Sequence, residues 1–326
     1  MDVRQKEKEW LRRMNGNLAS SKENERKVTP MSASSKCEDK EPTKKRFGFN
    51  DVAGMDELKE LVTEGFINVL KNRECAKAFG IVPPSILFYG PSGCGKTFFA
   101  EAMANEVGVN FIKVVPDDIA CKWVHGTQEK IGEVFRTAEK TAPTVLFFDE
   151  FDAMVPHRTA DDLHNQNGEV NEFLCMLNNA SDKGIYVIAA TNHPEAIDKA
   201  VLRTGRIDEI IYVDMPGKAA RESLFRLSLA KLPAAEDIDY AKLAELTHGY
   251  NCSDISYIVK VASRKMFNAS IAARGQPYKV ITQLLLENVI AHKAPSVTPK
   301  DLREYERMRS LYSPKDANVR LQRIGF

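Results

Sequence analysis

The residues Gly90, Pro91, Ser92, Gly93, Cys94, Gly95, Lys96 and Thr97 spell GPSGCGKT and fit the pattern G-x-x-x-x-G-K-[ST]. Each residue type has a physical task in that pattern. The glycines let successive backbone N–H groups curl around a phosphate, and the start of the following helix adds the positive end of its dipole. A lysine at position 96 reaches the β- and γ-phosphates of a nucleoside triphosphate, and a hydroxyl at position 97 ligates a magnesium ion. The match has the context that separates a phosphate loop from a Gly-rich turn. It directly follows the apolar run ILFY, and Thr97 and Phe98 open the helical pattern TFFAEAMANEV.

Three further groups stand at strand ends. TVLFFDE places Asp149 and Glu150 after a buried apolar run, about fifty residues beyond the loop. Ligands of open α/β sheets bind at that carboxyl edge. There Asp149 is suited to hold the water shell of the magnesium ion, and Glu150 to polarise an attacking water. VIAATN ends in Asn192, whose amide can orient that water between Glu150 and the terminal phosphate. LRTGR carries Arg203 and Arg206, three apart, before the last strand. These two read either as surface charge or as cations that neutralise a transition state, a role worth 10³–10⁵ in rate in phosphoryl transfer.

The elements needed to position these groups are legible in the pattern. SILFYG, NFIKVV, TVLFFD, GIYVIAAT and DEIIYV are short β-rich apolar runs, separated by the helical patterns KTFFAEAMANEVG, QEKIGEVFRTAEKT and NGEVNEFLCMLNNA. Such alternation, with near-continuous apolar strands, predicts an α/β fold: a parallel five-stranded sheet of the P-loop NTPase kind, covered on both faces. After Pro216 the patterns are helical, and no strand candidate stands out. The expected organisation is an N-terminal arm over 1–46, an α/β ATPase unit over 47–215, a small helical lid over 216–297, and a C-terminal helix and tail over 298–326. Thr298, Pro299 and Asp301 form a helix-start signal for that last segment.

Composition narrows the class. With 28% charged and 43% hydrophobic residues and a net charge of +1, the 326-residue chain has the make-up of a soluble globular protein. No apolar run approaches the roughly 20 residues of a membrane span, and MDVRQKEKEW lacks the apolar centre of a signal peptide. The expected location is cytoplasmic or nuclear. The cysteines Cys37, Cys75, Cys94, Cys121, Cys175 and Cys252 show no C-x-x-C or zinc spacing and read as reduced thiols. Cys94, at a helix N-terminus, is expected to have a lowered pKa and to be reactive, so that alkylation blocks ATP hydrolysis and bound nucleotide protects. Residues 1–46 hold 13 Lys/Arg against 8 Asp/Glu, a net of +5, which leaves the remainder near −4. That arm reads as a solvated tail, or as an element for an acidic partner. It includes one short helical pattern around Trp10 and a polar linker.

Together these ordered motifs resemble the AAA ATPases, in their FtsH, katanin and Cdc-type unfoldase branch. The resemblance runs from FGFNDVAGMDELKE to GYNCSDI and beyond, and implies a single AAA domain that hydrolyses ATP with Mg²⁺. DVAG resembles the family's adenine-contacting segment, which implicates Asp51, Val52 and Ala53. LRTGR resembles the second region of homology, which implies that Arg203 and Arg206 reach a neighbouring subunit's γ-phosphate in a homo-hexameric ring. GYNCSDI resembles the lid motif, and VTPKDLREYERMRSLY the last helix of katanin-like members.

The resemblance also gives a role to CKWVHGTQEK. Lys122, Trp123 and Val124 fall on the family's first pore loop, whose aromatic grips a polypeptide in the central channel. An amphipathic ring of that size bears on any side chain without choosing a sequence. The alternative is that Trp123 packs beneath the sheet, against which its polar flanks argue. Two departures stand out: His125 where the family has Gly, and Cys252 where the lid motif has Gly. HRTADDLHNQNGE lies where a second pore loop would be. The implied activity is the remodelling of protein clients, with a client or adaptor bound through the N-terminal arm. A nucleic-acid motor or clamp-loader-like switch would want basic pore loops, and a non-threading scaffold would not need Glu150 and Asn192. The terminal QRIGF lacks a penultimate Tyr, so proteasome docking is not expected.

Overall fold

The computed structural model describes residues 47–120, 126–157, 165–203, 205–273 and 278–312. The first pore-loop residues Lys122, Trp123 and Val124, together with His125, the N-terminal arm, most of the second-loop segment and the QRIGF tail, lie outside the described residues.

Among the described residues a short 3-10 turn at Phe49–Asp51 precedes helix α1 (Asp56–Val62), which continues through a wider turn at Thr63–Ile67. Then β1 (Ile86–Tyr89) leads into α2 (Lys96–Val107), β2 (Asn110–Val114), α3 (Gly126–Lys140), β3 (Thr144–Phe148), α4 (Asn165–Asn178), β4 (Ile185–Thr191) and β5 (Glu209–Tyr212). The five strands form one parallel sheet in the order β2-β3-β4-β1-β5. Parallel strands need crossovers, and the helices that make them cover both faces. The strand sequences show this directly. In β3, Leu146 and Phe148 join one apolar core with α3 and α4, while Val145 and Phe147 join the core on the other side with α2. All five residues of β3 are buried.

Register decides what the carboxyl edge presents. Tyr89 pairs with Thr191, and Phe148 with Ala189, so β1, β4 and β3 end side by side. The residues that follow these ends are Gly90, Asn192 and Asp149. Aromatic packing fixes the end of β3: the Phe148 and Phe173 rings meet edge-on at 4.8 Å between centroids, and Phe151 meets Phe173 at 5.3 Å. Both Phe148 and Phe151 are buried, at about 1.5–3 kcal/mol each. Asp149 and Glu150 are thus held between two anchored side chains.

The C-terminal region is helical: α5 (Lys218–Leu229), α6 (Tyr240–Leu246), α7 (Cys252–Ala272), α8 (Gln283–Ala291) and α9 (Pro299–Tyr312). The first four pack around Phe225, Leu229, Leu243, Ile255, Ile258 and Leu286. One extended contact appears where only helices were expected, a single β-bridge between Ala234 and Ile281. Helix α9 does not join that core. Its Tyr305 donates to the Asn192 carbonyl at 2.8 Å, its Tyr312 ring lies 5.6 Å from that of Tyr89, and Arg309 lies over the Tyr212 ring at 5.4 Å. The last described helix therefore lies along the carboxyl edge of the sheet. No helix among the described residues is long and apolar enough to cross a membrane.

Candidate nucleotide site

The loop from Gly90 to Thr97 leaves β1 and enters α2. At Gly90 (φ 146°) a Cβ would lie 2.3 Å from the Val213 carbonyl oxygen, so no other residue fits beside β5. At Gly93 (φ 75°) a Cβ would lie 2.7 Å from Asn251 Nδ2 and 2.9 Å from Ser253 Oγ. The second contact shows that the loop is roofed by the N-terminus of α7. Asn251 Nδ2 donates to the Ser92 carbonyl at 2.9 Å, and the Ser253 N–H to the Gly93 carbonyl at 3.1 Å. Pro91 is buried and Ser92 exposed.

Lys96 is folded back into this cradle. Its Nζ donates to the Gly90 carbonyl at 2.8 Å, the Pro91 carbonyl at 2.9 Å and Asn192 Oδ1 at 2.7 Å. The residue is 8% exposed, and burial pulls its pKa from 10.5 down to about 8. The Thr97 hydroxyl donates to Asp149 Oδ2 at 3.0 Å. Thr97 and Asp149 thus offer two hard oxygens at one point, the donor type magnesium takes. The positive-φ glycines, the ammonium at the end of β1 and this oxygen pair fit a magnesium-bound triphosphate.

Glu150 follows in the left-handed region (φ 54°) and is exposed. Such a conformation is uncommon for a residue other than glycine. It turns the chain sharply between β3 and the turn Phe151–Met154, and leaves the Glu150 carboxylate free of the strand ladder. Its neighbour Asp152 accepts from the Thr191 hydroxyl, which in turn accepts the His193 N–H at 2.8 Å. Together these bonds brace the two strand ends that carry Glu150 and Asn192.

The other sequence candidates divide. Val52 is buried, Ala53 half-buried and Asp51 exposed, its carboxylate accepting the Gly48 N–H at 3.1 Å. The next residue, Gly54, comes so close to α5 that a Cβ would lie 2.6 Å from that of Ala220. Segment 51–54 therefore runs against the helical region. The exposed ring of Phe98 stacks on Phe47 at 4.5 Å and pins the start of that segment. The bonds joining Lys96, Thr97, Asp149 and Asn192 do not extend to the arginines: Arg203 is exposed, and Arg206 Nη1 donates to the Ala200 carbonyl at 2.7 Å.

Cys94 overturns one expectation. Its side chain is fully buried, with Sγ 3.5 Å from Met215 Sδ. Burial, then the neighbouring Cys252, push its pKa up to about 12, against a smaller pull from Lys96. The helix N-terminus does not make this thiol reactive, because the thiol points into the core. Its backbone remains part of the cradle.

Three residues that complete the arrangement were not among the site candidates read from the sequence. Asn251 reaches the loop from 159 positions away, Tyr305 reaches Asn192 from 113 away, and Lys113 Nζ lies 2.6 Å from Asp149 Oδ2. Lys113 alone was visible as an anomaly, a lysine inside the apolar run NFIKVV.

This fold and site define a P-loop ATPase of the AAA class. Residues 86–215 match the family described as "ATPase family associated with various cellular activities (AAA)". The chain thus carries an AAA domain, whose cofactors are ATP and Mg²⁺ and whose reaction is ATP hydrolysis. The chain is 36% identical over 271 residues to the cell division cycle protein 48 homolog of Archaeoglobus fulgidus, covering 80% of this chain and 37% of that protein. It is 38% identical over 221 residues to Protein SAV of Sulfolobus acidocaldarius, covering 67% of this chain and 28% of that protein. The chain spans about a third of the length of these relatives.

Proposed function

We propose that the protein is an ATP-driven motor that remodels, unfolds or disassembles protein clients by drawing them through the pore of a homo-hexameric ring. The observation that carries this reading is the docking of α7 on the phosphate loop through Asn251–Ser92 and Ser253–Gly93. Any rearrangement of the loop between nucleotide states bears directly on the helical region. That region has its own apolar core, so it responds as a body. Here the division at residues 216 and 298 becomes mechanical, with a nucleotide-holding unit, a lid that moves on it, and a strap at the sheet edge.

Magnesium-bound ATP supplies the scissile phosphoanhydride and the charge to be neutralised. Lys96 would exchange the loop carbonyls for the β- and γ-phosphates, and Thr97 and Asp149 would hold the metal and its water. Glu150 takes up the proton of the attacking water while Asn192 orients it. Segment 51–53 borders the base. Arg203 and Arg206 complete a neighbour's site in trans, for which the exposure of Arg203 is suited. Lys122, Trp123 and Val124 grip the client. The protein works in the cytoplasm or nucleus, with residues 1–46 available to an adaptor or client.

The test is a trap. Glu150→Gln should bind ATP without hydrolysing it and retain its client in an extract supplied with ATP. Clients lost from Glu150→Gln/Trp123→Ala would support a gripping pore. Proteins retained equally by both variants would refute threading and point to the arm.

A further inference from the structure

We propose that Lys113 is a built-in rival of magnesium at Asp149, a tethered cation that must be displaced before the metal loads. The inference rests on the assignment of Thr97 and Asp149 to the magnesium ion.

Lys113 is the fourth residue of β2, paired with Phe147 of β3. Its neighbours Ile112 and Val114 turn into the core beneath α3 and α4. Phe111, two residues before Lys113 and therefore on its side of the strand, packs into the core shared with α2. Lys113 thus occupies the α2 side of an edge strand, near its carboxyl end. Its four-carbon stem carries the ammonium to Asp149 Oδ2, at 2.6 Å. The Thr97 hydroxyl donates to the same oxygen at 3.0 Å. The other oxygen, Oδ1, accepts the Glu150 N–H at 3.2 Å.

A carboxylate oxygen has two lone-pair positions. At Oδ2 both are taken, one by the hydroxyl expected to ligate the metal and one by a lysine. On Oδ2, the oxygen that faces the Thr97 hydroxyl, a metal-bound water competes with Lys113 for the second position. The two cations also repel one another across a site whose side chains are 38% (Lys113) and 22% (Asp149) exposed. Lys113 can leave, because its exposed end swings into solvent without opening a cavity. Without metal it neutralises Asp149, so that the loop meets the phosphates of a metal-free nucleotide with one negative charge fewer nearby. With metal it is released. Lys113 acts through Asp149 and is a positioning residue.

Removing the lysine should therefore do two opposite things. Magnesium should load more readily, and metal-free nucleotide should bind less well. A half-exposed ion pair is worth about 0.2–1 kcal/mol, which corresponds to roughly 1.5- to 5-fold in a binding constant.

The experiment measures binding of a fluorescent ADP to the full chain, first in excess chelator and then along a magnesium titration. Wild type, Lys113→Met, Lys113→Arg and Asp149→Asn are compared. The expected result is a several-fold lower half-saturating magnesium concentration in Lys113→Met, with weaker binding in chelator, and wild-type behaviour in Lys113→Arg. An unchanged magnesium midpoint in Lys113→Met, in a protein whose own midpoint is shifted by Asp149→Asn, overturns the inference and leaves the metal assignment standing. No response to Asp149→Asn overturns both. If Lys113→Met does not fold, Lys113→Gln serves in its place. A lysine that merely braces the fold would lower the melting temperature without moving the magnesium midpoint.

Discussion

Lys96 Nζ and Asn192 Oδ1 are 2.7 Å apart, although 96 residues separate them in the chain. The bond joins the loop after β1 to the end of β4, and the parallel register of Tyr89 with Thr191 makes it possible. In this arrangement the buried ammonium is shared among three oxygens, none of them charged. That is why desolvation dominates its pKa, now about 8. Between about pH 8 and the ordinary 10.5, the folded protein binds fewer protons at Lys96 than the unfolded chain does. Without nucleotide, this group makes the protein gain stability as pH rises through that window, and below it the buried charge is a standing cost. Phosphates favour the charged form. Nucleotide binding at about pH 9 should therefore take up a substantial fraction of a proton. Titration calorimetry in two buffers of different ionisation enthalpy measures this uptake, and Lys96→Met should abolish it.

Asn192 is held from both ends, its amide by Lys96 and its carbonyl oxygen by the Tyr305 hydroxyl at 2.8 Å. Small misplacements of a positioning group cost on the order of 10² in rate. Asn192→Ala should lower kcat on that order with little change in KM. Tyr305→Phe removes only the outer bond, worth about 1 kcal/mol. It should lower kcat by a few-fold, again with KM unchanged. Steady-state kinetics on the two variants checks both, and a rise in KM alone would place these residues in uniform binding instead.

The sheet was legible because a strand buried on both faces has to be a continuous apolar run, and TVLFFD and GIYVIAAT are such runs. The loop was legible because GPSGCGKT spells out its own backbone requirements. The placement of Asn251, Tyr305 and Lys113 was not. These contacts join elements far apart in sequence, and the periodicity of a helix does not say which body it docks on. VTPKDLREYERMRSLY predicts a helix with a good start, and α9 is that helix. Nothing in its pattern says that Tyr305 and Tyr312 face the sheet edge rather than the core built around Phe225. Cys94 shows the opposite limit: position at a helix N-terminus suggested a reactive thiol, while burial against Met215, which no local pattern encodes, sets its pKa.

That burial gives a sharp expectation for labelling. The thiolate is the reactive species, and Cys94 is both fully buried and held near pKa 12, while Cys75 and Cys175 are exposed. Alkylation of the native protein near neutral pH should modify Cys75 and Cys175 and leave Cys94 untouched, with ATPase activity retained. Cys252, pushed up to about 11 mainly by burial, should also be slow. Mass spectrometry of peptides after brief labelling measures this. Cys94 should label only once denaturant opens the fold, and rapid native labelling would contradict the buried geometry.

The helical region has its own electrostatic keystone in Asp254, which is 2% exposed. It completes a capping box with Asn251 at the start of α7, accepts from Lys293 Nζ at 2.6 Å, and accepts the Ser296 N–H at 3.0 Å as well as the Ser296 hydroxyl. Burial is the largest influence on the carboxyl and pushes its pKa up. The bonds from Lys293, Ser296 and Asn251 together outweigh it and hold the group below the ordinary 3.8. A depressed folded-state pKa means that the stabilisation is present above the unfolded value and is lost as pH falls through the folded one. Acid unfolding of this region should therefore begin below about pH 4, and Asp254→Asn should flatten the pH dependence there. Lys293→Met strips the main partner from a buried carboxylate and should cost about 2–3 kcal/mol, with Ser296 still bonded. Urea unfolding of the two single variants and the double variant decides between a coupled pair and two separate effects. If the pair is coupled, the double variant recovers part of the loss. Because Asn251 also holds the Ser92 carbonyl, Lys293→Met should weaken nucleotide binding as well, which links the keystone to the phosphate loop it roofs.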